Sequence, residues 1–262
     1  MAANEPGQPD PAPSLISRDL PTPASALAIG AHPDDVEFGA GATLAKWAAA
    51  GCIVHHLVLT DGSKGTWNAD ADVPALIATR QREQREAARR LGGANAGEVV
   101  FLGQVDGELQ NSLELRGEVA RVIRMLRPEV VLAHDPWKHY RLHPDHREAG
   151  LLACDGIVAA RDPHFHKDHG LPSHRPHTLL LWEAEAPDHV EDVGASVERK
   201  LHALEAHESQ FESTMKAVDT DQLAAFRARI TDRLAGLGAR YGVADAAGGT
   251  GSAEVFKRIT DL

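Results

Sequence analysis

Leu27-Ala28-Ile29-Gly30-Ala31 runs directly into His32-Pro33-Asp34-Asp35 and then into a helical pattern over residues 39–50 that Gly51 stops. A short apolar run bounded by turn signals reads as a buried strand, and its step into a helix opens a βαβ unit. The alternation repeats downstream. Residues 52–60 read as a second strand, 75–91 as a long helix ended by Gly92-Gly93, 98–102 as a third strand, and 113–126 as a helix that stops before Pro128. Residues 129–134 make a fourth strand, 147–160 a helix, 178–182 a fifth strand and 195–208 a further helix.

Strands separated by helices of this length form parallel βαβ units with right-handed crossovers. The predicted fold class is therefore α/β: a Rossmann-like, doubly wound, mainly parallel sheet with helices on both faces. In the common strand order 3-2-1-4-5 the first and fourth strands are neighbours whose connections leave in opposite directions, so a crevice opens at their C-terminal ends. His32 directly follows the first strand, and a second block, His143-Pro144-Asp145-His146, follows the fourth after a loop over residues 135–142. The topology thus brings both blocks to one pocket. In each, a proline behind the histidine fixes φ and keeps the block out of a regular helix.

A catalytic zinc takes three protein ligands from His and Asp or Glu and keeps a position for a water whose pKa falls to about 7. His32, one aspartate of the first block and one histidine of the second supply such a set. That leaves one carboxylate as general base and one imidazole to stabilise an oxyanion or protonate a leaving amine. The inventory matches hydrolysis of an unactivated amide. Spacing leaves open which of Asp34 and Asp35, and which of His143 and His146, binds metal. The plainer reading, loop histidines and N-cap aspartates, loses ground because two such blocks meet at one switch point.

Composition narrows the partners. The 262 residues carry a formal net charge of −11, which opposes sequence-independent nucleic-acid binding and docking on an anionic leaflet. A small-molecule substrate fits better, and homo-oligomerisation stays open. Cys52 and Cys154 form neither a disulfide framework nor a zinc-knuckle spacing, so reducing cytoplasm is expected. Residues 1–25 read as a disordered Pro/Ala-rich leader without the basic and apolar regions of a signal peptide, and residues 26–262 as a single domain. No apolar run reaches the roughly 20 residues of a membrane span.

Ala31-His32-Pro33-Asp34-Asp35, with Gly39-Ala40-Gly41-Ala42-Thr43-Leu44-Ala45 in the next helix and His143-Pro144-Asp145-His146 after the fourth strand, resembles the LmbE-like (PIG-L) de-N-acetylases. That family includes the glucosaminyl-phosphatidylinositol de-N-acetylase and the sugar deacetylases of the mycothiol and bacillithiol pathways. The resemblance spans residues 27 to about 210. It implies removal of an N-acetyl group from an N-acetylglucosamine-type conjugate, with one Zn2+ per chain, or another divalent metal, held by His32, Asp35 and His146. It makes Asp34 the general base, His143 the acid or oxyanion stabiliser, and Asp145 the partner that orients a histidine.

Arg80, Glu83, Ala87-Ala88 and Leu91-Gly92 match the family's second helix, and Leu102-Gly103 with Asp106-Gly107 its third-strand loop. The resemblance implies that Arg80 and Asp106 line the outer pocket and contact substrate hydroxyls or phosphate. Read as residues alone, Arg80 would pair with Glu83 or Glu86, and Asp106-Gly107 would be an ordinary turn. Several positions depart from the pattern. Val36 follows Asp35 before Glu37, Ser63 stands where Glu is common, and the bulky stretch 137–142 leaves both Tyr140 and Arg141 as candidates for an electrophilic role. An amidase of thiol conjugates or of a specialised-metabolite intermediate, and a non-catalytic glycan- or metal-binding relative, are the rival readings; the surplus base Asp34 favours an enzyme. The histidines at 164–177 read as an exposed, Pro-punctuated loop over the pocket rim, and Trp47, Trp182, Phe211 and His207 as packing residues.

Overall fold

A computed structural model describes residues 16–262. The strands are β1 (Ser17–Arg18), β2 (Ser25–Gly30), β3 (Ile53–Thr60), β4 (Ala96–Gln104), β5 (Val130–His134), β6 (Thr178–Trp182), β7 (His189–Asp192) and β8 (Ala253–Ile259). The α-helices are α1 (Asp35–Ala49), α2 (Val73–Gly92), α3 (Leu113–Leu126), α4 (Pro144–Arg161), α5 (Val197–Leu204) and α6 (Thr220–Tyr241). One sheet joins all eight strands in the order β1-β7-β8-β6-β5-β2-β3-β4. The stretch β4-β3-β2-β5-β6 is the expected 3-2-1-4-5 arrangement, every pair parallel. Beyond β6 the sheet continues differently: β8 pairs antiparallel with both β6 and β7, and β1 pairs parallel with β7.

Alternation along β2 explains the two cores. Leu27 and Ile29 point into a cluster with Val119, Ile123, Leu152 and Ile157 from α3 and α4. Ala26 and Ala28 face Leu44 and Trp47 of α1 on the other side. Both faces are covered, so the central strands read as continuous apolar runs.

Several boundaries differ from the sequence reading. Both His/Asp blocks lie at helix starts: Asp35 opens α1 behind the N-cap Asp34, and Pro144 opens α4 behind the N-cap His143. Proline pre-set to helical φ begins a helix well, since its missing N–H has no intrahelical partner there anyway. Of the leader, residues 1–15 lie outside the described residues; Ser17 and Arg18 pair with His189 and Val190 as a sheet edge. No helix among the described residues is long and apolar enough to cross a membrane.

The histidine-rich segment packs on α3, away from the cavity rim where it was expected. Arg124 of α3 donates to the carbonyls of Ala159, Ala160, Asp162, Phe165 and His166, tying that segment to the end of α4. Trp47 and Trp182 are buried in the core as the sequence suggested, and Phe211 packs beside Phe226.

Candidate active site

β2 and β5 end side by side, and the chain leaves them in opposite directions, so His32 and His146 reach the same point from two helix N-termini. His32 Nδ1 lies 3.3 Å from Asp35 Oδ2, and His146 Nε2 lies 3.4 Å from Asp35 Oδ1. Ligand atoms of these three residues all fall within 4.8 Å of one another. With bonds of about 2.0–2.1 Å, a tetrahedral metal sets its ligand atoms about 3.3–3.4 Å apart, so the donor set fits a divalent metal.

The other nitrogen of His32 is bound from behind. Nε2 is 3.1 Å from Asp145 Oδ2 and 3.2 Å from Asp106 Oδ1. Asp145 is held in turn by the backbone N–H groups of Gly107 and Leu109, at 2.6 and 3.2 Å. A carboxylate behind a histidine fixes both its tautomer and its ring plane, leaving Nδ1 free toward the ligand point. Burial alone would lower the His32 pKa, but Asp106, Asp145 and Asp35 outweigh it and raise the ring to about 12. Without metal, a proton on His32 balances the surrounding carboxylates; a dication brings the same sign of charge and displaces that proton.

Asp34 is the surplus carboxylate. Although it occupies the N-cap of α1, its side chain makes no capping hydrogen bond, and its backbone is left-handed at φ 100°. Such a conformation costs a non-glycine residue on the order of 1–3 kcal/mol and has to be imposed by neighbours. Burial raises its carboxyl to about 6 against the pull of Arg80, whose Nη2 is 3.5 Å from Oδ2. For Asp35, burial also raises, but His146 and His134 outweigh it and hold this carboxyl well below the ordinary value of 3.8. Adjacent aspartates are thereby driven apart, one ionised and one poised to take up a proton near neutral pH.

His143 is exposed at the mouth, its ring edge-on to His32 at 4.6 Å between centroids. Burial, followed by the charge of His32, lowers its pKa below 6.5. A cavity of about 500 Å³ opens above these groups, lined by His32, Asp34, Asp35, Arg80, Asp106 and His143, with Lys64 and Arg233 toward the outside. A smaller cavity of about 160 Å³ adjoins it and shares Phe38, Glu183 and Arg233.

Arg80 and Asp106 are deeper than the outer pocket. Arg80 is 3% exposed and donates to the carbonyls of Gly62 and Pro33, so the surface pair with Glu83 or Glu86 is not formed. Asp106 sits at the floor against His32. Tyr140 is 96% exposed, whereas Arg141 is buried and pairs with Glu183 at 2.9 Å. Arg141 also donates to Nδ1 of His146 at 3.2 Å. For His146 to bind a cation through Nε2 its own proton must sit on Nδ1, so Arg141 has to release this ring when metal loads.

Five buried residues of this neighbourhood escaped the sequence reading of function. His134, at the end of β5, accepts from Trp182 Nε1 at 2.9 Å through Nδ1, and its Nε2 faces Asp35 Oδ2 at 3.2 Å. Beneath Asp34 lie Gln84, Glu37 and His56, with His207 behind them, all fully buried. Only Glu37 and His207 stand near sequence features that draw notice; Gln84 is hidden in a helix rich in Arg, Glu and Gln.

Comparison with known proteins gives the lineage. Residues 27–156 match the family described as GlcNAc-PI de-N-acetylase, PIG-L. The diacetylchitobiose deacetylase of Thermococcus kodakarensis is 37% identical over 188 residues, which cover 71% of this chain and 69% of that one. The chain belongs to the PIG-L family. A second PIG-L relative, the 1D-myo-inositol 2-acetamido-2-deoxy-alpha-D-glucopyranoside deacetylase of Streptomyces avermitilis, is 31% identical over 178 residues, 59% of this chain and 60% of the relative. The solved N,N'-diacetylchitobiose deacetylase from Pyrococcus horikoshii superposes with a TM-score of 0.79 at 29% identity, covering 91% of this chain and 84% of that one. As a PIG-L member the chain is a de-N-acetylase, a hydrolase of a carbon–nitrogen bond. Members are metal-dependent deacetylases, and His32, Asp35 and His146 are grouped as a metal would need.

Proposed function

We propose that this chain removes the N-acetyl group from an N-acetylglucosamine-type sugar conjugate, using one zinc held by His32, Asp35 and His146. The observation that carries the reading is Asp34: a carboxylate surplus to the ligand set, lining the same cavity, with its pKa raised by burial to about 6. Relatives named for chitobiose and glucosaminyl-inositol substrates support the sugar. A zinc here supplies Lewis acidity and brings the pKa of a water close to neutrality. Asp34, lining the cavity beside the ligand set, is placed to take a proton from the water that adds to the acetyl carbonyl. His143, neutral at pH 7, suits N–H donation to the developing oxyanion. The proton on Asp34 is then available to the departing amine as the carbon–nitrogen bond breaks and acetate remains. Asp145 keeps His32 in the ligand tautomer.

Arg80 and Asp106 are the proposed substrate contacts, through the edges that line the cavity. Hydroxyls suit them better than phosphate, because the Arg80 guanidinium already donates to two carbonyls. Elemental analysis, with amine release measured on a panel of N-acetylglucosamine derivatives, tests the proposal. Zinc-loaded protein that releases no amine from any member would refute it.

A further inference from the structure

The Pro33–Asp34 peptide is gripped at both ends from one helix. Its carbonyl accepts Arg80 Nη2 at 2.7 Å, and its N–H donates to Gln84 Oε1 at 2.9 Å. Arg80 and Gln84 are one turn apart on α2, so their side chains leave the same face. A peptide held at both oxygen and nitrogen cannot swing, and the orientation of that plane at the Asp34 Cα is what φ measures. The two contacts therefore impose the left-handed backbone of Asp34.

Gln84 is itself oriented. Its Nε2 donates to Glu37 Oε1 at 2.8 Å, with His56 Nδ1 3.2 Å away, and Glu37 Oε2 lies 3.3 Å from His207 Nε2. An amide has one donor end and one acceptor end. Turned round, Gln84 would set its carbonyl against the Glu37 carboxylate and its NH2 against the Asp34 N–H, repulsive at both ends. Glu37 thus selects the orientation in which the oxygen faces Asp34, and burial leaves no water to substitute for either contact.

We propose that Gln84 is a positioning residue for the reaction: through the Pro33–Asp34 peptide it holds Asp34 in the backbone conformation that aims its carboxylate into the cavity, with Glu37 fixing the Gln84 amide. The inference rests on the reading of Asp34 as general base. It does not rest on Gln84 touching substrate, since the residue does not line the cavity.

Two variants and two readouts test it, with N,N'-diacetylchitobiose as the probe substrate. Gln84→Met keeps length and loses both polar contacts. Its crystal structure should show Asp34 out of the left-handed region, with metal stoichiometry unchanged. Misaiming a reacting group should lower kcat about 10- to 100-fold while KM moves less than about twofold. The paired exchange Gln84→Glu with Glu37→Gln keeps an acceptor at the Asp34 N–H and rebuilds the 84–37 hydrogen bond with donor and acceptor swapped. It should restore kcat to within about threefold of the parent.

Folded Gln84→Met protein with Asp34 φ and kcat unchanged overturns the proposal. So does an exchange variant that folds, binds metal and stays as slow as Gln84→Met. If Gln84→Met does not fold, the exchange variant decides against the parent: folded, metal-loaded exchange protein with kcat more than about 10-fold below the parent overturns the proposal. If the parent does not cleave the probe, the substrate reading fails on its own, and the Asp34 backbone in Gln84→Met still decides the positioning.

Discussion

Asp34 and Asp35 differ by one position and by every physical circumstance. Asp35 is surrounded by imidazoles and stays ionised, whereas Asp34 meets Arg80 and a desolvating wall. Asp34→Asn should therefore keep the metal while losing about 10²- to 10⁴-fold in turnover; elemental analysis beside a rate measurement checks this, and near-normal turnover would remove Asp34 from the chemistry. His143→Ala should also keep the metal and lower kcat with little change in KM, because stabilising a developing oxyanion acts in the transition state. A rise in KM at constant kcat would make His143 a substrate contact instead. The two blocks were legible because His, Pro and Asp at fixed spacing carry chemistry in their identity. Gln84 and His134 were not: a glutamine among arginines and glutamates looks like a solvated helix face, and a histidine ending a strand looks like a boundary. Their meaning lies in contacts across α2, β5 and β6 that no local spacing encodes.

At the scale of elements, α1 is anchored from outside at its middle. The N–H groups of Ala42 and Thr43 donate to Glu254 of β8 at 3.1 and 2.8 Å, and Lys200 of α5 pairs with Glu254 at 2.6 Å while donating to the Phe38 carbonyl. Lys200→Met would leave the Glu254 carboxylate buried without its cation, a change that costs about 3–5 kcal/mol. Chemical denaturation should show that loss, and Lys200→Met with Glu254→Gln should be milder than Lys200→Met alone. Gly39 provides a second test, since an added Cβ there would come within 2.5 Å of the Trp182 ring. Gly39→Ala should destabilise by about 1–3 kcal/mol through overpacking; an unchanged Tm would mean that the indole has room to move. The elements from β2 to β6 were readable because strands buried on both faces are plain apolar runs. β8 was not, since its Ala253-Glu254-Val255-Phe256-Lys257-Arg258-Ile259 mixes charge with apolar residues and joins the sheet antiparallel. The 22-residue α6 was missed for a related reason: it covers β8, so its place depends on a strand that the sequence had not revealed.

Across the whole molecule, buried and half-buried histidines tie stability to pH. His55, His56 and His174 are each held below the ordinary value of 6.5, first by burial. Below that pH the unfolded chain accepts protons that the folded chain refuses, so stability falls as pH drops from about 6.5 toward the folded values. Asp34, raised to about 6, and His32, raised to about 12, work in the opposite sense because their folded forms gain a proton first, but His143, His146 and His169 are lowered too, so six imidazoles stand against two groups. Urea midpoints of the metal-free protein should fall between about pH 7 and pH 5.5, and a midpoint that holds or rises would contradict the burial of neutral imidazoles. The sheet order carries a different consequence, one of sequence in time. β7 reaches β6 only through β8, which follows it after α5 and α6, and β1 reaches the sheet only through β7. Distant pairings close late, because loop entropy is spent before they form. The β2–β6 half can assemble first, with the last strand then driven between β6 and β7 like a keystone that also brings Glu254 to α1.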